Sequence, residues 1–400
     1  MLYYRYLQEL HAKGSGTMKK EELFQTIDSL YAEYIQVLLD VCNIESPTDY
    51  KEGVDRVGAY FADRARTLGW KVETHEEAVS GNVVAITMNE DAKGAPIALS
   101  GHMDTVHPVG SFGTPPARIE GDRLYGPGAI DCKGGIVAAF LAMDALNRCG
   151  FKDRPVYLLL QSDEENGSRF SEKRTIGYIC EKAKGCAAFL NCEGYAEGYL
   201  CIERKGILRY QFHVYGKSVH ASSCTEGVSA IAEAAHKILM LERLKNEGWG
   251  ITCNCGLISG GTATNTVPEE CTFSVDIRVT SDEDVRWVKE YVKEIADTSY
   301  IEGSRCEVTL ESYRIAMPLY ERNSALHRRM NEIYKEVGLP TLTAKRRGGG
   351  SDAADVSAFG IPCVDSIGIH GSGLHTLSEY ANLPSLGEAA KRIAAIVAFL

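Results

Sequence analysis

Five residues, each at the close of an apolar run or in a glycine-bearing loop, could hold metal ions: His102, Asp131, Glu165, Glu193 and His375. His102 follows Pro96-Ile97-Ala98-Leu99-Ser100-Gly101, which reads as a buried strand ending at a glycine. Side chains alternate along a strand, so Asp104 shares a side with His102. A carboxylate there can take the ring N–H that a metal leaves free, fixing the tautomer. Glu164 and Glu165 follow an apolar strand over 156–160, and Glu193 follows another over 187–190. Open α/β sheets place their ligands at such carboxyl ends. Two histidines and three carboxylates suit borderline or hard divalent ions, zinc first, with cobalt or manganese as alternatives. An aspartate shared between two ions would hold them ~3.5–4 Å apart. Glu164 is then a spare carboxylate. Beside two cations it could act as general base, moving a proton from a bridging water to a leaving nitrogen. Plainer readings are a strand-end histidine and a solvated Asp163-Glu164-Glu165 turn; the buried approach and the Gly167 exit favour a charge sink.

These residues need a scaffold. Apolar residues at helical spacing from Leu23 to Leu39 predict a long amphipathic helix, with a second over 52–69 and a buried one over 136–146. Strands are expected at 83–86, before His102, at 156–160 and at 187–190. From Gly206 the texture changes. An alternating strand over 207–215 precedes a helix over 230–244, strands near 251–258 and 270–278, a helix over 282–296 and a strand near 306–311. That β-α-β-β-α-β order is ferredoxin-like. The α/β texture returns after Met317-Pro318, with a helix near 323–336, a strand near 362–368 and a last helix from 386. The fold class expected is an α/β catalytic domain, a mixed sheet flanked by helices over 1–205 and 315–400. Into it is inserted an α+β lid over 206–314.

Bulk properties narrow the function. A chain of 400 residues exceeds the usual size of a single core, which fits two domains. A net charge of −11 argues against a nucleic-acid partner, and Lys345-Arg346-Arg347 is too short to reverse that. No apolar stretch is long enough to span a membrane, and residues 1–6 lack the apolar region of a secretion signal. Residues 14–17 read as flexible. Thirteen cysteines without a C-x-x-C pair, the closest being Cys253 and Cys255, suggest free thiols in a reducing cytoplasm. Gly126-Pro127-Gly128 is a poor dinucleotide fingerprint because Asp131 takes the third glycine's place. Gly216-Lys217-Ser218 is no phosphate loop, since Gln211 stands where glycine is required.

Taken in order, G-H-M-D-T-V at 101–106, G-P-G-A-I-D-C-K-G-G at 126–135, D-E-E-x-G-S at 163–168, Glu193-Gly194, G-K-S-V-H-A at 216–221 and H-T-x-x-E at 375–379 resemble one family. It is the co-catalytic zinc exopeptidases and deacylases of the aminoacylase, acetylornithine deacetylase, succinyl-diaminopimelate desuccinylase and carboxypeptidase G type. The resemblance implies that His102 and Glu193 hold one zinc, Glu165 and His375 the other, and Asp131 bridges. It makes Asp104 the orienting group and Glu164 the base. His220 would reach the reacting carbonyl across a homodimer formed by the lids, while Asn265 and Arg278 would contact the substrate carboxylate. The family's usual proline after position 193 is Gly194 here. His370 competes with His375 but lacks the trailing Thr376 and Glu379. Alone, His220 could be an ordinary loop histidine and Arg278 a surface ion-pair partner. The expected function is zinc-dependent hydrolysis of amide bonds in small peptides or N-acyl amino acids, by a carboxypeptidase or dipeptidase. A biosynthetic deacylase or desuccinylase is the alternative. A non-catalytic metal-binding scaffold is a more distant one.

Overall fold

The computed structural model describes residues 18–194, 196–245 and 250–400; the stretch at 14–17 lies outside them. Helix α1 (Lys20–Cys42) buries Leu23, Ile27, Leu30, Tyr34, Val37 and Leu38 along one stripe. After α2 (Lys51–Thr67) come β1 (Lys71–His75), β2 (Val83–Met88), β3 (Ile97–His102) and a hairpin of β4 (Arg118–Glu120) and β5 (Arg123–Tyr125). Then α3 (Lys133–Arg148), β6 (Val156–Gln161), α4 (Arg174–Lys182), β7 (Ala188–Asn191) and β8 (Tyr199–Arg204) follow. Residues 206–314 carry β9 (Gly206–Tyr215), α5 (Ala230–Glu242), β10 (Thr252–Gly260), β11 (Glu270–Val279), α6 (Asp282–Asp297) and β12 (Arg305–Arg314). The chain closes with α7 (Glu321–Val337), β13 (Thr343–Arg347), α8 (Asp352–Ala358), β14 (Cys363–Val364), β15 (Gly371–Ser372), β16 (Tyr380–Asn382) and α9 (Pro384–Phe399).

A six-stranded mixed sheet in the order β1-β2-β6-β3-β7-β14 forms the larger part. Its β3, β6, β7 and β14 run parallel, and β2 and β3 are buried along their whole length. Strands covered on both faces read as unbroken apolar runs, which is why 97–99 and 156–160 stand out in the sequence. Helices α1, α3 and α9 cover one face, and α4 and α8 the other. The second sheet, β10-β11-β9-β12, is antiparallel throughout. Burial alternates along β11, with one face packed under α5 and α6 around Phe212, Phe273, Val288 and Val292. A small sheet, β15-β16-β5-β4, ties the chain around residues 371–382 to the loop before Asp131. No helix among the described residues is long and apolar enough to cross a membrane.

The strand expected near 362–368 is shorter than its apolar content implies. Only Cys363 and Val364 join the ladder. Asp365 is held by Arg204 at 2.6 Å and Ser366 turns to a left-handed φ of 60°, so the chain leaves the sheet there. The basic run at 345–347 belongs to β13, which pairs in parallel with β8.

Candidate active site

His102 is the last residue of β3, Glu164 and Glu165 lie just beyond β6, and Glu193 lies two residues past β7. Three neighbouring parallel strands therefore deliver these side chains to one rim. Asp131 arrives from the loop before α3. Gly135 lets that helix start close against β7, because a Cβ there would sit 1.7 Å from the Cys192 carbonyl oxygen. Gly194 is likewise pressed on Ile130, whose Cγ1 would lie 2.6 Å from an added Cβ. His375 hangs in the turn between β15 and β16 at φ 60°, a conformation histidine adopts more readily than most residues.

Asp131 is central. Its Oδ1 lies 3.1 Å from His102 Nε2 and its Oδ2 lies 3.2 Å from His375 Nε2. His102 Nε2 also faces Glu193 at 3.7 Å, and His375 Nε2 faces Glu165 at 3.3 Å. His102 Nδ1 lies 2.9 Å from the Asp104 carbonyl oxygen and 3.4 Å from its carboxylate. A carbonyl only accepts, so that contact puts the proton on Nδ1 and leaves Nε2 as the donor atom for a cation. The Asp104 carboxylate has a further task. It accepts the N–H of Glu164 at 3.2 Å, the N–H of Glu165 at 3.1 Å and the Thr48 hydroxyl at 2.8 Å, fixing the acidic turn.

The electrostatics fit a cation centre. Burial, with the charges of Asp131 and Glu164, pushes Glu165 up to about 8. Burial with Asp131 and Glu164 nearby also holds Glu193 well above the carboxylate range. Hydrogen bonds to Asp131 and Glu165 raise His375 to about 10. Burial opposes charge on His102, but Cys132, Asp104, Asp131 and Glu193 outweigh it and raise its pKa. Burial likewise opposes the Asp131 anion, and the two histidines outweigh it, lowering its pKa. Burial thus opposes ionised Glu165 and Glu193, while the surrounding carboxylates favour positive charge on the two histidines. Ligation needs neutral imidazole and ionised carboxylate, and divalent ions restore that state by supplying the charge directly. The ligand atoms of His102, Asp131 and Glu165 lie within 4.8 Å of one another, as do those of His102, Cys132 and Glu193.

Two residues without a role in the sequence reading join this site. Glu379 accepts the N–H groups of Ile130 and Asp131 at 3.0 and 3.1 Å, that of Gly128 at 3.2 Å, and His107 Nε2 at 2.8 Å. It holds the Asp131 loop from beneath; its signal was the trailing acid of H-T-x-x-E. Arg314, the last residue of β12, clasps the Glu164 carboxylate and its carbonyl. Nothing in the sequence signalled that contact.

The other candidates are held by their own neighbours. His220 caps a short 3₁₀ turn, its Nδ1 accepting the Ser222 N–H at 3.2 Å. Asn265 lies beside it: the Asn265 carbonyl accepts the Ala221 N–H at 2.8 Å. Both are exposed, and among the described residues no hydrogen bond or ion pair joins them to the ligand cluster. Arg278 donates to Asp276 on its own strand and to the Gly348 carbonyl at 3.1 Å.

Residues 98–398 match the model of peptidase family M20/M25/M40. The chain is 29% identical over 383 residues to carboxypeptidase G2 of Pseudomonas sp. (strain RS-16), covering 93% of this chain and 91% of that protein. It is 30% identical over 243 residues to acetylornithine deacetylase of Myxococcus xanthus, covering 58% and 60% respectively. A tripeptidase from Staphylococcus aureus superposes with a TM-score of 0.75 at 22% identity, covering 96% of this chain and all of that one.

Proposed function

The chain belongs to peptidase family M20/M25/M40, and from that premise we propose a co-catalytic two-metal exopeptidase acting on small peptides that end in a free carboxylate. It is a metal-dependent hydrolase of peptide or N-acyl-amino-acid amide bonds. The observation that carries the two-metal reading is Asp131, whose two oxygens face His102 and His375 at 3.1 and 3.2 Å. One ion would be held by His102, Asp131 and Glu193 and the other by Asp131, Glu165 and His375. When bound, zinc at these positions would polarise the scissile carbonyl and acidify water. Glu164 lies next to that cluster and would carry the proton from water to the leaving nitrogen. Arg314 holds Glu164 by charge and geometry, so the base is positioned from the second sheet. Arg278 would take the substrate carboxylate by exchanging its Asp276 partner.

Residues 206–314 are read as a lid through which two copies pair. Leu257 and Ile258, 71% and 58% exposed on edge strand β10, support that reading. The cysteines are free thiols, which supports a reducing, cytoplasmic setting. The test is a panel of dipeptides and acyl-amino acids, sorted by C-terminal residue, assayed after chelation and again after zinc is restored. Zinc-dependent release of a C-terminal amino acid from dipeptides supports the carboxypeptidase or dipeptidase reading. Turnover of acyl-amino acids alone makes the enzyme a deacylase. Metal content tests the bridge: Asp131→Ala should lose both ions, and His102→Ala should preferentially weaken one. Equal loss from the two variants counts against Asp131 as the shared ligand.

A further inference from the structure

The strand at the edge of the second sheet carries a group of ligands that the catalytic cluster does not use. Cys253 and Cys255 are two apart on β10, so both point to the same side, the side covered by the helices. Helix α5 ends at Glu242 against this strand, and Glu242 Oε1 accepts the Cys255 N–H at 2.9 Å. The Sγ atoms of Cys253 and Cys255 and a carboxylate oxygen of Glu242 lie within 4.8 Å of one another. Cys253 is buried, Cys255 and Glu242 are half-buried, and Lys245 pairs with the other Glu242 oxygen. The register of β10 against β11 shifts just after Cys255, so the ligands sit where the edge is least regular. Helix-facing positions of such a strand ordinarily carry aliphatic side chains. Two thiols and a carboxylate held at one point form a donor set instead.

We infer that Cys253, Cys255 and Glu242 form a separate site for a thiophilic divalent ion, zinc by preference, outside the active centre. Two thiolates and a carboxylate leave one tetrahedral position for water, and Zn–S bonds of about 2.3 Å need only a small closing of the three ligand atoms. Binding releases one proton from each thiol, and the ion with its two thiolates and carboxylate carries a net negative charge that Lys245 offsets. The ion would clip the end of α5 to β10 just ahead of its exposed Leu257 and Ile258. The site shares no ligand with the active centre and stands independently of the proposed function.

Cadmium tests this in protein given two equivalents of zinc, enough for the active centre alone, because its thiolate complexes absorb in the ultraviolet. One equivalent should generate that band in the wild type. Cys255→Ser should abolish it, and Cys132→Ser, which removes the thiol beside His102, should leave it intact. Losing a group that merely supports a metal ligand costs about 10–100-fold in affinity, so Glu242→Gln should weaken cadmium binding about tenfold or more. That variant keeps both thiols and guards against a serine variant that fails to fold. Zinc should also slow alkylation of Cys255 while the exposed Cys224 reacts as before. No band in the wild type, a full band in Cys255→Ser, loss of the band in Cys132→Ser, undiminished affinity in Glu242→Gln, or alkylation of Cys255 indifferent to zinc would each overturn the proposal.

Discussion

At the scale of single residues, the active centre separates groups that would hold metal from groups that hold the holders. Glu164→Gln changes a proton acceptor into an amide of nearly equal volume, beside ligands that it leaves in place. Its turnover should fall by about 10²–10⁴, the range for removal of a general base, with metal content unchanged by elemental analysis. Near-wild-type turnover would remove Glu164 from that role. Glu379→Ala should do the reverse. It strips the acceptor from the N–H groups of Ile130 and Asp131 and frees the Asp131 loop. Metal affinity should drop by about 10–100-fold, measured by competition with a chelating dye, though Glu379 touches no ion in the proposed arrangement. Unchanged affinity would show that the loop holds itself. That His102, Asp131, Glu165, Glu193 and His375 would converge was legible in the sequence, because metal chemistry restricts residue type and sheet topology restricts place. The contacts of Glu379 and Arg314 were not: H-T-x-x-E marks Glu379 but not its partners, and the two residues act on groups about 250 and 150 residues away.

At the scale of elements, long periodic segments were readable and short ones were not. Helix α1 and the fully buried strands carry enough apolar positions to announce themselves. Strand β13 is polar and half-exposed, and β15 is two residues long, so pairing with other segments alone makes them strands. Beside the second sheet, α5 carries a buried ion pair, hidden from periodicity, that ties it to the end of α6. Lys237 and Glu233 are each 1% exposed at the side chain and lie 3.0 Å apart. Lys237 donates to the carbonyls of Ile295, Ala296 and Thr298, which end α6, and Glu233 accepts the N–H groups of Tyr300 and Ile301. Removing one partner strands the other charge, so Lys237→Met should cost about 3–5 kcal/mol. Hydrogen exchange over 282–301 should accelerate, and Glu233→Gln added to Lys237→Met should recover part of the loss. Burial works against the Glu233 anion, but Lys237 and the two N–H groups outweigh it and lower its pKa below 4.5. Its stabilisation is therefore complete above 4.5 and is lost as pH falls through the lower folded value. Exchange in this segment should rise in acid below that point in the wild type. In the double variant, which has no carboxylate at 233, that component should vanish. A Lys237→Met protein as stable as wild type would mean the helices are held by apolar packing alone.

At the scale of the whole molecule, the question is whether one chain contains a complete site. His220 and Asn265 lie side by side and exposed, and among the described residues neither is bonded to the cluster around Asp131. Strand β10 is an edge of its sheet and carries exposed Leu257 and Ile258, which suits pairing with the same edge of a second copy. Twofold pairing is reciprocal, so whatever one lid brings to its partner it also receives. If His220 enters the partner's centre, it can donate to the developing oxyanion, a contribution whose removal costs roughly 10²–10³ in rate. His220→Ala and Glu164→Gln chains should each be nearly inactive alone. A heterodimer of the two holds one centre with an intact Glu164 and, from the other chain, an intact His220. Equal mixing with free exchange should leave about a quarter of all centres complete, as isologous pairing requires, and activity should return in that proportion. Exchange can be followed independently by native mass spectrometry of tagged subunits. Exchange without any gain over the parent chains would mean that His220 serves its own chain or takes no part in the reaction, and the monomer would then be the catalytic unit.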